Sequence, residues 1–131
     1  MATEGIVFVV DDDTEVRQSM ECVLAAAELP VQSFSSAEAF LADANCDQPC
    51  CLVLDLRMPG MGGQKLLEKL RSRNCAMPII VISGHADVPA AAQAMELGAL
   101  DCLTKPVDPA ALVTKIRDAL RAVIARSRKT R

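Results

Sequence analysis

Aromatic residues are almost missing: three phenylalanines stand among 131 residues, with no tryptophan and no tyrosine. A core must therefore come from Val, Ile, Leu, Ala and Met, a palette that suits buried parallel strands covered by helices. Long apolar runs are missing too. None approaches the ~20 residues a membrane-spanning helix needs, and the N-terminus lacks a signal peptide's charged start and apolar stretch. The chain is expected in the cytoplasm, with no membrane partner. No G-x-G-x-x-G follows the first apolar run and no P-loop occurs, which excludes the common nucleotide-binding sites.

Cysteine is not scarce, but its context is wrong for a disulfide scaffold. Cys22, Cys46, Cys50, Cys51, Cys75 and Cys102 lie in a chain of one-domain size with no export signal. Cys46, Cys50 and Cys51 form a C-x3-C-C cluster that invites a metal or redox reading. It has no second C-x2-C and no paired histidine, so reduced thiols in a core or loop are the simpler expectation. The net charge of −3 hides an asymmetry: residues 1–60 carry eleven acids and two bases, residues 61–131 six acids and twelve bases. The basic tail 126–131 reads as a solvated helix end or the start of a linker, rather than a nucleic-acid contact.

Apolar runs alternate with helical patterns along the whole chain. Strands are expected over Ile6–Val10, Val31–Phe34, Cys51–Leu56, Pro78–Ile82 and, most weakly marked, Leu100–Leu103. Between them, Val16, Met20, Val23, Leu24 and Ala27 recur at helical spacing. Asp13 suits an N-cap, and Ser35 with Glu38 suits a capping box for a helix reaching Asp43. A Met-Pro-Gly-Met-Gly-Gly loop precedes a helix bearing Leu66, Leu67 and Leu70. Asp87 caps an Ala-rich helix ending at Gly98, and Asp108 with Pro109 opens a last helix carrying Leu112, Ile116, Leu120 and Val123 inward. Five strand–helix units imply one parallel sheet with helices on both faces; five are too few for a closed barrel. The fold class is α/β, doubly wound, with residues 1–125 as one domain.

Polar residues cluster at the carboxyl ends of these strands, where open α/β sheets bind ligands: Asp11 and Asp12 after the first, Asp55 at the end of the third, Ser83 after the fourth, Lys105 after the fifth. The segments Val9-Val10-Asp11-Asp12-Asp13, Leu54-Asp55-Leu56-Arg57-Met58-Pro59-Gly60, Ile82-Ser83-Gly84-His85 and Thr104-Lys105-Pro106 resemble the receiver domains of two-component response regulators, in the family's order and spacing. The likeness covers roughly residues 5–125, and the Ser-Gly-His-Ala-Asp-Val-Pro and Ser-Ala-Glu-Ala-Phe-Leu runs look most like the FixJ-like branch.

That resemblance implies strand order 2-1-3-4-5, which brings all five polar residues to one crevice. It implies Asp55 as phosphoacceptor from a sensor histidine kinase, Ser83 and Lys105 as its helpers, and Mg2+ held by Asp11, Asp12, Asp55 and the backbone carbonyl of Arg57. The chemistry agrees. Carboxylates ~4 Å apart repel by about 4 kcal/mol per pair at an effective dielectric near 20, and a hard oxygen cage that keeps waters suits Mg2+. The resemblance also implies a turn at Lys105-Pro106 that is often cis, a switch neighbourhood around His85, a homodimer promoted by phosphorylation, and DNA contact only through an output domain absent from this chain. One position departs: three residues before Lys105 the family usually has Phe or Tyr, and here stands Cys102.

Two other readings compete. An aspartate-based phosphatase of the haloacid dehalogenase type needs a second acid two residues after its nucleophile, and Arg57 occupies that place. A receiver fold used only for docking would not need the full set of acids, Ser83 and Lys105. The expected protein is therefore a phosphoacceptor and not an enzyme in the usual sense.

Overall fold

The computed structural model describes residues 5–58, 62–73, 75–84 and 88–129. The expected roles of His85 and Asp87, and the Pro59–Met61 part of the glycine-rich loop, lie outside them. Five strands, β1 (Ile6–Val10), β2 (Val31–Phe34), β3 (Cys50–Asp55), β4 (Ile79–Ser83) and β5 (Asp101–Thr104), alternate with α1 (Thr14–Ala26), α2 (Ala37–Asp43), α3 (Gly62–Ser72), α4 (Val88–Glu96) and α5 (Pro109–Lys129). All strand pairs are parallel, and the sheet order is β2-β1-β3-β4-β5. β3 lies one residue earlier than expected, and β4 and β5 one residue later, because ladder pairing with the neighbouring strand rather than the apolar run sets where each strand begins.

The three central strands are buried on both faces, so their sequences read as continuous apolar runs. Alternation then sorts the side chains. Val7, Val9, Val53, Ile80 and Ile82 pack with Met20 and Leu24 of α1 and Leu112, Ile116 and Leu120 of α5. Phe8, Val10, Leu52, Leu54, Ile79 and Val81 pack with Phe40 of α2, Leu66, Leu67 and Leu70 of α3, and Ala94 of α4. The chain's three aromatic rings meet in this second layer, Phe40 lying edge-on to Phe8 and to Phe34 at 5.5 Å.

Helix starts follow local chemistry, with one correction. Asp13 accepts from the amides of Glu15 and Val16, and Asp108 from Ala110 just after Pro109. The cap of α2 is Ser36 rather than Ser35: its Oγ accepts from the Ala39 amide at 3.0 Å. Two adjacent serines offer the motif in either phase, and burial of Ala37 and Phe40 on one face decides it. Gly98, at φ +98°, ends the turn after α4 as expected. Val123 is half-buried, and α5 continues through Arg126 to Lys129. Among the described residues, no helix is long and apolar enough to cross a membrane.

Candidate functional site

Parallel pairing puts the ends of β1, β3 and β4 side by side: Val10 stands opposite Leu54, and Asp55 opposite Ile82. The next residue along β1 is Asp11, so Asp11, Asp12 and Asp55 converge, each offering a carboxylate oxygen within 4.8 Å of the others. Asp12 is exposed, whereas Asp11 and Asp55 are only 2% and 5% exposed. Lys105 reaches in from the turn after β5, its Nζ 3.7 Å from Asp55 Oδ1. The Lys105-Pro106 bond is cis.

Burial pushes the Asp55 carboxyl up to about 6, and the charge of Asp11 adds to the effect; the Arg57 amide, donating to Oδ1 at 3.2 Å, and Lys105 pull the other way. Burial also raises Asp11, against the Asp13 amide that donates to its Oδ1 at 2.9 Å. Among the described residues, the second oxygen of Asp11 is buried with no hydrogen-bond partner. A buried carboxylate oxygen left bare between two other acids is a position that a cation satisfies.

Ser83 ends β4 and is buried, with its Oγ 3.4 Å from the Cys102 Sγ across the β4–β5 pair. The structure thus gathers Asp11, Asp12, Asp55 and Lys105, and sets Ser83 on the adjacent strand end, turned to Cys102. Arg57 contributes its amide to Asp55.

Three supporting residues escape sequence reading. Arg17 of α1 returns to the Asp11 carbonyl, Nη1 donating at 2.7 Å, and so fixes the backbone that carries the first acid. An arginine on an amphipathic helix looks solvated until its reach is known. Gly63 lets α3 approach β3: a Cβ there would lie 2.4 Å from the Asp55 carbonyl oxygen. Its place in a Gly-Gly pair gave a turn signal, not a packing one. Arg71 donates to the carbonyls of Cys75, Leu97 and Gly98 at 2.6, 3.2 and 2.7 Å, tying the end of α3 to the end of α4.

A single parallel sheet with helices on both faces and with three acids and a lysine at its carboxyl edge defines a class. The response regulator receiver domain profile matches residues 7–117, and the chain belongs to that family. It is 46% identical over 115 residues to the transcriptional regulatory protein FixJ of Azorhizobium caulinodans, covering 87% of this chain and 54% of the relative. It is 40% identical over 121 residues to FixJ of Bradyrhizobium diazoefficiens, covering 92% and 59%. The chain therefore spans somewhat over half the length of these curated relatives. Among solved structures, FixJ-N superposes with a TM-score of 0.84 at 40% identity, covering 92% of this chain and 96% of that one. The response regulator StyR gives 0.88 at 38%, covering 98% and 65%.

Proposed function

We propose that Asp55 accepts a phosphoryl group from a histidine kinase, and that the resulting change at β4 and β5 controls an output. The carrying observation is the buried Asp55 carboxylate, held with Asp11 and Asp12 inside 4.8 Å and facing Lys105 at 3.7 Å. The Arg57 amide and Lys105 do not offset its burial and its crowding by like charge, which a purely structural carboxylate would avoid.

The donor set fits Mg2+. Oxygen-only ligands, an incomplete cage open on the Asp12 side and a bare Asp11 Oδ2 suit a small hard cation that keeps waters. Asp11, Asp12, Asp55 and the Arg57 main-chain carbonyl would hold it, and when bound it supplies positive charge to the transferring oxygens. The rest falls to side chains of this chain. An Asp55 carboxylate oxygen attacks phosphorus; the P–O bond forms as the P–N bond to the donor imidazole breaks, and the imidazole leaves as the neutral base once it takes up a proton. Lys105 balances charge on the new acyl phosphate. Ser83 leaves the Cys102 sulfur and donates a hydrogen bond from its hydroxyl to a phosphoryl oxygen.

An apolar groove of about 360 Å3, lined in part by Val16, Met20, Val23, Pro106 and Leu112, flanks Lys105 and offers the kinase a docking face. On the far side Val88, Met95 and Leu100 are 68%, 43% and 53% exposed, an apolar face that suits a homodimer formed on phosphorylation. By analogy with the FixJ proteins, the output is transcription, reached through a DNA-binding domain outside this chain, in the cytoplasm.

Incubation with acetyl phosphate and Mg2+, followed by intact-mass measurement, tests the reading. One added phosphoryl group is expected on the parent, and none on Asp55→Asn or with Mg2+ chelated. Labelling of Asp55→Asn at the parent's rate would overturn the assignment. An unlabelled parent would leave a docking module.

A further inference from the structure

The last residue of β1 is Val10, so Asp11 and Asp12 stand where the sheet no longer holds the chain on both sides. Asp11 is nevertheless fixed at three atoms. Its amide donates to the Phe34 carbonyl at the end of β2, at 3.1 Å. Its Oδ1 accepts from the Asp13 amide at 2.9 Å. Its carbonyl oxygen accepts from Arg17 Nη1 at 2.7 Å, and of the three holds this one comes from a side chain. What is left over is Oδ2, buried and, among the described residues, without a partner.

The Arg17 bond does more than fill an acceptor. The Asp11 carbonyl belongs to the planar peptide that joins Asp11 to Asp12, so holding it sets the angle at which two carboxylates leave the chain. The same guanidinium reaches Thr14 Oγ1 through Nη2 at 3.0 Å, bridging the end of β1 to the first residue of α1. Arg17 is half-buried, and among the described residues it forms no ion pair. A cation on the loop of two acids that bonds a carbonyl and a hydroxyl instead of a carboxylate is placed for the shape of its fork.

Building on the Mg2+ reading of the crevice, we propose that Arg17 is a positioning residue for that site: by holding the Asp11–Asp12 peptide it aims both carboxylates at the ion and so sets Mg2+ affinity. Its bonds go to the Asp11 backbone and to Thr14, so it acts through Asp11 and not on the reacting atoms. A positioning role and a charge role predict opposite signs. A cation near the site repels Mg2+, so removing its charge alone would tighten binding. Losing the hold weakens binding, because metal affinity depends on the groups that orient the ligands. Lysine separates the two. It keeps the charge, but as a point donor it cannot hold the carbonyl and the hydroxyl together in a planar fork.

Calorimetric titration of the unphosphorylated chain with MgCl2 is the test. Arg17→Gln and Arg17→Lys should each weaken Mg2+ binding by roughly tenfold or more, as removal of a group that orients a metal ligand does. The Mg2+ concentration for half-maximal phosphoryl uptake from acetyl phosphate should rise by the same factor, a larger change than in the maximal rate. Arg117→Gln is the comparison. It removes a bond of the same kind, from Arg117 Nη2 to the Ala27 carbonyl at the far end of α1 at 2.9 Å, and should bind Mg2+ as the parent does. Urea unfolding in chelator reports whether each variant is folded, and Arg17→Lys alone suffices where the glutamine variant does not fold. Parent affinity in Arg17→Lys would overturn the positioning role, as would tighter binding in Arg17→Gln or an equal loss in Arg117→Gln. A parent that binds no Mg2+ would instead overturn the metal reading of the crevice itself.

Discussion

Asp55 is a carboxylate placed where carboxylates are costly, and that cost can be measured. With its carboxyl pushed up to about 6 against an ordinary 3.8, the folded state binds this proton more tightly than the unfolded chain does. The sign follows. The benefit to folding is fully present below 3.8 and is lost as pH rises through about 6, so at neutral pH without Mg2+ the ionised group destabilises the fold by up to about 3 kcal/mol. Asn keeps the shape and removes the charge. In chelator, Asp55→Asn should resist urea more than the parent at neutral pH, by on the order of 1–3 kcal/mol, and the gap should narrow as pH falls towards about 4. Mg2+ at neutral pH should stabilise the parent and leave the variant nearly unchanged. A variant less stable than the parent in chelator would mean that Asp55 is held by favourable partners, against the crowding by Asp11 and Asp12.

Among the described glycines, the one with least room for a side chain is Gly63, where α3 meets β3. A methyl there would meet the Asp55 carbonyl oxygen at 2.4 Å and the Leu56 Cα at 2.7 Å, both backbone atoms with no rotamer to yield. Gly63→Ala should therefore cost about 1–3 kcal/mol in urea unfolding, the range for overpacked sites. It should also slow phosphoryl uptake, because relief means moving the strand end that carries Asp55. Unchanged uptake and stability would show that α3 can slide away freely. Contacts of this kind were the part of the molecule that sequence reading missed. The buried strands were legible because Val, Ile and Leu run unbroken through them, and Asp13 and Asp108 because a cap acts on amides two or three residues away. The acids and Lys105 were legible as polar residues ending apolar strands. Arg17, Arg71 and Cys75 were not, since their partners are set by how helices and loops settle against the sheet. Ser35 and Ser36 could not be told apart until the burial of Phe40 fixed the phase of α2.

Across the whole molecule, the proposed function requires a signal from Asp55 to cross β4 and β5 before it can reach the exposed Val88, Met95 and Leu100. Ser83 pairs with Thr104 in the sheet, and its hydroxyl touches the Cys102 sulfur at 3.4 Å, so the proposed signal has a contact to act on between β4 and β5. A phosphoryl group that draws the Ser83 hydroxyl away breaks this weak contact. Cysteine has a single side-chain torsion and little volume, so it cannot swing between two packed positions as a ring would. Coupling between two states scales with how differently each is packed, and here Cys102, half-buried against the core layer of Phe8 and Val81, changes little. Phosphoryl uptake should accordingly be intact while the response at the α4–β5 face is shallow. Cys102→Phe supplies the missing volume. It should leave uptake from acetyl phosphate nearly unchanged, and should increase the gain in dimer on adding beryllofluoride, as read by sedimentation velocity. If parent and variant show the same gain, the coupling runs through other residues, and Ser83 acts only on the phosphoryl group.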